Sequence, residues 1–377
     1  MSEETPKIRI PHDDLSALLE VSLALTESLD RDVVLQTAVD AAVGLLGADS
    51  GAIFLLEGDA AVLGASTRGP AADMPEGLRR MLLSGHPQMN TAIHAQDLIV
   101  IPDAKAAFLS HAERVLLADH DICAVLYVPL RVDGEPVGVM VLSAAECEAE
   151  FQEHDLDVCR MLAAQIAMAL QNARLFEAVR TAALELQSAY DATLEGWSLA
   201  LEMRDEETLG HTLRAAEMAC TVARALGVPE ADIAHVRRGA LLHDIGKMAV
   251  PDSILKKPGP LDDREWAVMR AHPVVAHEFL SRIGYLEPAI DIPYYHHERW
   301  DGTGYPRGLR GTKIPLSARI FAVIDVYDAL TSDRPYRKAW SIDEALSHIV
   351  AQAGEHFDPV VVAAFMEQVE TDAAAAN

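Results

Sequence analysis

The chain of 377 residues is half hydrophobic and carries 58 acidic against 31 basic side chains, a formal net charge of −27. That length accommodates two domains and a connector, and the apolar content suffices for sizeable cores. So acidic a surface repels duplex DNA and anionic lipid, which excludes a general nucleic-acid binder but not a small phosphorylated substrate held by local cations and metals.

The first residues, Met1-Ser2-Glu3-Glu4-Thr5, are acidic and polar, unlike a signal peptide. No apolar run approaches the roughly 18 residues of a membrane helix. Cys123, Cys147, Cys159 and Cys220 form no Cys-x-x-Cys pair. The expectation is a soluble, cytoplasmic protein with reduced thiols and neither DNA nor membrane as partner.

Residues 1–12 read as a loose leader. Leu15, Leu18, Leu19, Leu23, Leu25 and Leu29 then follow at helical spacing, and Asp30-Arg31-Asp32 introduces a second helix from Val33 to Leu46, with Gly47 as its stop. Strand candidates are Gly51–Glu57, Ala61–Ser66 and Leu98–Ile101. The clearest local signal is a hairpin. Ala124–Val132 and Pro136–Leu142 flank Asp133-Gly134, a dipeptide suited to the positive φ of a tight turn. Tyr127-Val128-Pro129-Leu130-Arg131-Val132-Asp133-Gly134-Glu135-Pro136-Val137-Gly138-Val139-Met140-Val141-Leu142 resembles the C-terminal hairpin of GAF domains. The resemblance implies an α+β sensor domain over about residues 14–175, of a kind that binds small ligands or serves as a dimer module. No cyclic-nucleotide signature accompanies it. Cys123, His94, His111 and His120 are read as a core thiol and solvated imidazoles rather than haem or metal ligands.

Residues 153–203 contain no proline and a single glycine, Gly196, which predicts a long helix. Cys159, Leu162, Ile166, Ala169, Ala173 and Phe176 alternate at spacings of three and four, a seam of the coiled-coil kind. Two arrangements cover such a stripe: a parallel homodimer in which residues 176–203 connect sensor to effector, or packing on its own domain. From about residue 190 the pattern is helical throughout, broken near Gly227-Val228-Pro229, Lys257-Pro258-Gly259-Pro260 and residues 301–313, so the second domain is expected to be all-α.

Chemistry-bearing residues concentrate there. His243-Asp244 pairs an imidazole with a carboxylate, ligand types that hard and borderline divalent metals accept. Lys247, four residues after His243, returns to the same face of a helix, where a cation beside metal-bound phosphate positions substrate or stabilises a leaving oxygen. Glu207 and His211 share that spacing. His272 precedes Pro273, a position that favours a helix start. His296-His297 closes a further helix. Asp325 lies within apolar Ile320–Leu330, where a carboxylate is costly to bury unless paired or metal-bound, and Asp328 shares its face. Singly, each of these is an ordinary surface histidine or ion-paired acid. Together, five imidazoles and three carboxylates on separate helices exceed a single tetrahedral site and suit two or three metals with bridging ligands. The adjacent histidines, diverging by about 100° on a helix, are expected to serve different metals. Such a cluster lowers the pKa of a bridging water for in-line attack on phosphorus. Oxygen chemistry at a di-iron centre is the rival. His235, His277, His348 and His356 lack such company and are read as structural.

His296-His297-Glu298-Arg299-Trp300-Asp301-Gly302-Thr303-Gly304-Tyr305-Pro306, with His243-Asp244-Ile245-Gly246-Lys247 upstream, closely resembles the HD-GYP phosphodiesterases. The likeness begins at Arg204-Asp205 and continues through Asp325-Val326-Tyr327-Asp328-Ala329-Leu330-Thr331 and Arg334-Pro335-Tyr336 to His356-Phe357-Asp358-Pro359. It implies an HD-superfamily helical bundle over about residues 204–370 that hydrolyses cyclic di-GMP to pGpG or GMP. His211, His243, Asp244, His272, His296, His297 and Asp325 match the family's metal ligands, the resemblance implies two or three divalent ions with iron or manganese as the occupants, and Glu207 matches an acid that ligates a third metal in some members. Lys247 falls at the lysine near the scissile phosphate, and Arg334 and Arg337 fall where basic residues contact the dinucleotide. Gly302, Gly304 and Pro306 stiffen a loop that places Tyr305 beside the pocket and offers a surface to a signalling partner. The alternatives are hydrolysis of cyclic GMP-AMP and a non-catalytic receptor for cyclic dinucleotides.

Overall fold

The computed structural model describes residues 12–70, 73–104, 109–110, 122–145, 152–205, 210–333 and 338–375. The chain divides into two compact units, Met1–Ala183 and Leu184–Asn377.

The first unit opens with α1 (His12–Thr26) and α2 (Arg31–Leu46). The Asp30 carboxylate accepts hydrogen bonds from the amides of Asp32 and Val33 to start α2, and Gly47 at φ +60 ends it. β1 (Ser50–Glu57), β2 (Ala60–Ser66), α3 (Glu76–Arg79), β3 (Arg80–Leu82), α4 (Pro87–His94), β4 (Ile99–Ile101), β5 (Ala124–Val132) and β6 (Glu135–Ala144) follow. The strands form one six-stranded antiparallel sheet in the order β3-β2-β1-β6-β5-β4. Asp133 at φ 51 and Gly134 at φ 85 make the expected hairpin turn. The strand period of two sorts the residues of β5. Leu126, Val128 and Leu130 join Leu35, Met140 and Leu142 in a core under the helices, while Val125 and Tyr127 join Phe54, Met81, Met89 and Ile93 on the opposite face. Arg80–Leu82 is too short to carry a period legible in the sequence.

α5 (Glu153–Asp205) is one continuous helix. Its stripe Cys159, Leu162, Ile166 and Ala169 is buried against Leu18, Val34 and Leu35 in the core of its own unit, and Ala173 is buried as well. That seam is therefore not free to pair with a second chain, which corrects the first of the two arrangements considered. A three-four repeat marks a face that needs covering and is blind to what covers it.

The thiols also need correction. Cys123 is disulfide-bonded, whereas Cys159 and Cys220 are free and buried. Spacing along the chain does not report which sulfurs meet in space. Burial pushes the Cys159 thiol up to about 12 and the Cys220 thiol up to about 11, so neither is a reactive thiolate. Cys147, His111 and His120 lie outside the described residues.

The described regular elements of the second unit are helices, apart from an isolated bridge between Ala353 and Phe357: the end of α5, then α6 (His211–Ala225), α7 (Glu230–Leu241), α8 (Asp252–Leu255), α9 (Asp263–Met269), α10 (His272–Leu280), α11 (Asp291–Tyr295), α12 (Leu316–Thr331), α13 (Ile342–Ala351) and α14 (Pro359–Ala375). Small residues of α6, Ala215, Ala216 and Ala219, let α7 and α12 approach closely, and Phe321, Phe357 and Phe365 fill the space beyond. Buried Glu202 accepts hydrogen bonds from the amides of Gly210, at 2.8 Å, and Thr212, at 2.7 Å, fixing where α6 begins. Among the described residues no helix is long and apolar enough to cross a membrane.

Candidate metal centre

α7 stops at Leu241, and His243-Asp244 occupies the turn between it and a 3₁₀ helix over Ile245–Ala249. Asp244 meets Lys247, three residues on, at 2.7 Å. The tighter winding eclipses positions i and i+3, so Lys247 lies over Asp244 rather than over His243 as α-helical spacing predicts. Gly246 is required by close approach. A Cβ there would stand 1.9 Å from the His272 carbonyl oxygen, so only glycine lets the start of α10 settle against this turn. Pro273 is in the first turn of α10, as expected.

Two groups of potential ligands result: Asp244, His272, His296 and His297, and His211, His243 and Asp325, with the donor atoms of each group within 4.8 Å of one another. His296 and His297 thus converge on the same group, their rings 4.0 Å apart, instead of diverging to two. They lie just past the end of α11, with His296 still in helical conformation (φ −62, ψ −18), so the two side chains reach one group although their Cα–Cβ directions differ. Asp325 and Asp328 project from α12 as the sequence implies, and they divide the work. Asp325 joins the ligand group, while Asp328 accepts a hydrogen bond from His211 Nδ1.

The backbone fixes the imidazole tautomers. Nδ1 of His243 donates to the Ala240 carbonyl at 2.8 Å, that of His272 to Met269 at 2.8 Å, and that of His296 to Ile292 at 3.0 Å. Each Nε2 then carries its lone pair inward. Asp244 Oδ1 stands 3.2 Å from His272 Nε2 and 3.9 Å from His296 Nε2, and it is a buried oxygen with no hydrogen-bond donor. Acceptors facing acceptors in a buried site are uncompensated unless a cation lies among them. The donor set therefore fits divalent metal ions.

The electrostatics agree. Burial raises the Asp244 pKa, but Lys247 and His243 outweigh it and hold the carboxyl well below its usual range, so it stays an anion. Burial drives His296 well below the usual imidazole value, aided by the charges of His297 and His243, and takes His297 down to about 3. His243 is the exception: burial opposes its charged form, yet Asp244 and Asp325 lift it to about 9, so without metal its Nε2 carries a proton toward Asp244 at 3.1 Å, and a metal must displace that proton to bind. Neutral imidazoles are the metal-binding form.

Residues 197–361 match the model of the HD domain, and residues 28–171 match the model of the GAF domain. The chain joins a GAF domain to an HD domain. It is 41% identical over 220 residues to the cyclic di-GMP phosphodiesterase response regulator RpfG of Xanthomonas campestris, covering 55% of this chain and 58% of that protein. It is 36% identical over 222 residues to the 3'3'-cGAMP-specific phosphodiesterase 2 of Vibrio cholerae, covering 58% of this chain and 41% of that one. The chain thus spans about half the length of the curated relatives it matches. The solved GAF domain of a phosphotransferase from Coxiella burnetii aligns at 21% identity and a TM-score of 0.39, over 44% of this chain and 96% of its own.

Other predicted residues of the HD domain fall as follows. Lys247 is clamped by Asp205 and Asp244, each at 2.7 Å. Tyr305 stacks on His297 with ring centroids 4.8 Å apart. Gly302 has φ +84, whereas Gly304 is needed for a different reason: a Cβ would stand 2.3 Å from the Arg299 amide nitrogen. Buried Glu298 ties the loop down by accepting from the amides of Arg307, at 2.7 Å, and Leu309, at 2.9 Å. His211 is the first residue of α6, after Gly210 at φ +81. Glu207, Arg334 and Arg337 lie outside the described residues. Sequence reading missed the roles of Asp205, Asp328 and Glu298. A carboxylate at i+3 from Asp325 was the one available signal, and it did not say which acid would bind and which would orient.

Proposed function

We propose that this chain is a metal-dependent phosphodiesterase that hydrolyses cyclic di-GMP to pGpG, GMP or both under control of its GAF domain. The observation that carries the reading is the donor-less buried oxygen of Asp244 among inward-facing imidazole lone pairs. Relatives named for cyclic di-GMP and cyclic GMP-AMP hydrolysis support the substrate class, and cyclic GMP-AMP is the second reading.

His211, His243, Asp244, His272, His296, His297 and Asp325 would hold two ions, with Glu207 available to a third. Iron or manganese is the proposed occupant, both suited to imidazole and carboxylate. When bound, such ions supply Lewis-acid polarisation of the phosphoryl group and an acidified water. The protein's own groups do the rest. Asp328 orients His211, and the backbone carbonyls of Ala240, Met269 and Ile292 orient three more rings. Lys247, held by Asp205 and Asp244, places a fixed cation beside the phosphate, where charge develops during cleavage. Arg334 and Arg337 are assigned to the dinucleotide by resemblance.

The proposed organisation is a sensor over residues 14–175, a connecting helix over 176–203 and the phosphodiesterase over 204–370, in the cytoplasm. A homodimer remains part of the proposal, on a new face of α5. Met168, Asn172, Leu175, Val179, Ala182 and Leu186 continue a three-four repeat on the side away from the core, with Met168 63% and Val179 68% exposed. Ser22 donates to Gln165 at 2.7 Å, which sets α1 and its exposed Leu19 and Leu23 beside this stripe. An asparagine at one seam position favours a parallel pair in fixed register. Because Tyr305 turns toward His297, a signalling partner at this loop would meet exposed Arg307 and Gly308 instead.

The test is anaerobic purification, metal analysis, and chromatography of products from cyclic di-GMP and cyclic GMP-AMP in competition. Metal-loaded protein that binds cyclic di-GMP without cleaving it would reject catalysis and leave a receptor.

A further inference from the structure

Beyond the metal groups, a ladder of π systems and one cation runs from the protein surface to His297. Trp266 on α9 is 45% exposed. The Arg270 guanidinium carbon lies 5.7 Å from its ring centroid and 5.4 Å from the ring centroid of Tyr305. Tyr305 in turn lies 4.8 Å from His297, tilted by 33°. The Arg270 side chain is exposed, and no described residue accepts a hydrogen bond or forms an ion pair with its guanidinium. In a chain with so large an acidic excess, an arginine without a carboxylate beside the candidate centre stands out.

We infer that Trp266, Arg270 and Tyr305 form a guanine-reading platform, on which one base of the dinucleotide lies against the aromatic rings while Arg270 donates to its O6 and N7. This rests on the phosphodiesterase reading above and adds to it the determinant of base choice. The chemistry selects guanine. Its O6 and N7 are two adjacent acceptors that match the paired donors of a guanidinium, whereas adenine presents N7 beside an N6 amino donor that opposes one of them. Stacking on an aromatic ring tolerates any base, so the rings supply affinity and the arginine supplies the choice. The location fits as well: Tyr305 links the platform to His297, so a base there is a nucleoside's length from a phosphate at the ligand groups.

The alternative role for Arg270 is that of a structural prop that holds α9 against the Tyr305 loop. Hydrolysis of cyclic di-GMP, cyclic di-AMP and the base-free diester bis(p-nitrophenyl) phosphate separates the two in wild type, Arg270→Met and Arg270→Lys. Equilibrium binding of the dinucleotides to metal-free protein gives a second readout. A guanine-reading arginine requires that Arg270→Met lose about ten- to hundredfold in kcat/KM for cyclic di-GMP, mostly through KM, beyond any loss on the base-free diester. The preference for guanine over adenine should collapse in both catalysis and binding, and Arg270→Lys should recover only part of it. Losses of equal size on all three substrates, or an unchanged guanine preference, would overturn the platform while leaving the phosphodiesterase standing. Wild-type protein that cleaves the nitrophenyl diester but neither binds nor cleaves a dinucleotide would remove the proposed substrate and the platform together.

Discussion

Asp244→Asn separates a metal ligand from a structural anion, because the two roles demand opposite responses in metal-free protein. The substitution keeps the shape and removes the charge. It weakens the contacts with Lys247 at 2.7 Å and with His243 Nε2 at 3.1 Å, but Lys247 retains Asp205 at 2.7 Å and His243 retains the field of Asp325, so neither buried cation is orphaned. The variant's amide oxygen still accepts from both, so the loss is the charge assistance at two contacts, about 1–1.5 kcal/mol each. Against it, the variant's amide can donate to His272 Nε2, which faces Oδ1 at 3.2 Å in the wild type. A hydrogen bond then replaces a contact between two acceptors and returns about 1 kcal/mol, or more once relief of repulsion is counted. Metal-free melting temperature should consequently fall by only a few degrees at most, since 1 kcal/mol corresponds to about 2–4 °C in a domain of this size. Metal-bound protein should respond very differently. At a free metal concentration a hundredfold above Kd, binding stabilises wild type by about 2.7 kcal/mol, roughly 5–10 °C. A hundredfold weaker site leaves about 0.4 kcal/mol, roughly 1–2 °C, at the same concentration. Calorimetric melting of chelator-treated protein across a manganese titration, with metal content and turnover measured on the same samples, reads all of these. A variant that keeps the wild-type metal shift and rate, or whose metal-free form melts more than about 10 °C lower, would refute Asp244 as a ligand in an acceptor-lined site.

Three further outcomes follow from the geometry. Asp328→Asn should weaken metal affinity by about 10- to 100-fold through loss of His211 orientation while leaving every ligand in place; equilibrium metal titration checks this, and an unchanged affinity would contradict it. Val179→Glu places a charge on the exposed stripe of α5 and should convert a dimer to a monomer in light scattering without lowering the melting temperature of the monomer; if the wild type is already monomeric at micromolar concentration, the dimer is wrong. His356 is neutral in the folded state because burial lowers its pKa to about 4, below its ordinary 6.5. Between those values the unfolded chain binds more protons, so stability present above pH 6.5 is lost as the pH falls toward 4. His356→Leu should remove this acid sensitivity, about 1–2 kcal/mol at pH 5 for a side chain still partly solvated, measured as urea midpoints between pH 7 and 4.5.

The sequence by itself determined the elements and the inventory of chemistry. Alternation in β5 and β6 with Asp133-Gly134 between them encodes a hairpin, since turn geometry and strand period are properties of neighbouring residues. The same holds for the helical run of α5 and for Pro273 at the head of α10. Candidate ligands were legible because only a few side-chain types accept divalent metals, and five histidines with several acids fell in one region. Tertiary structure alone decided where those residues point. His296 and His297 share one ligand group, an outcome that helical spacing did not predict. Lys247 rides over Asp244 because that segment winds as a 3₁₀ helix. The stripe of Cys159, Leu162 and Ile166 found its cover in its own unit. Arg270 reached Tyr305 across 34 intervening positions of sequence, a pairing no periodicity announces. Local pattern reflects short-range backbone preference and the need for burial, whereas convergence depends on the path of the chain between elements and on which surfaces pack, and both are set by contacts among residues far apart in sequence.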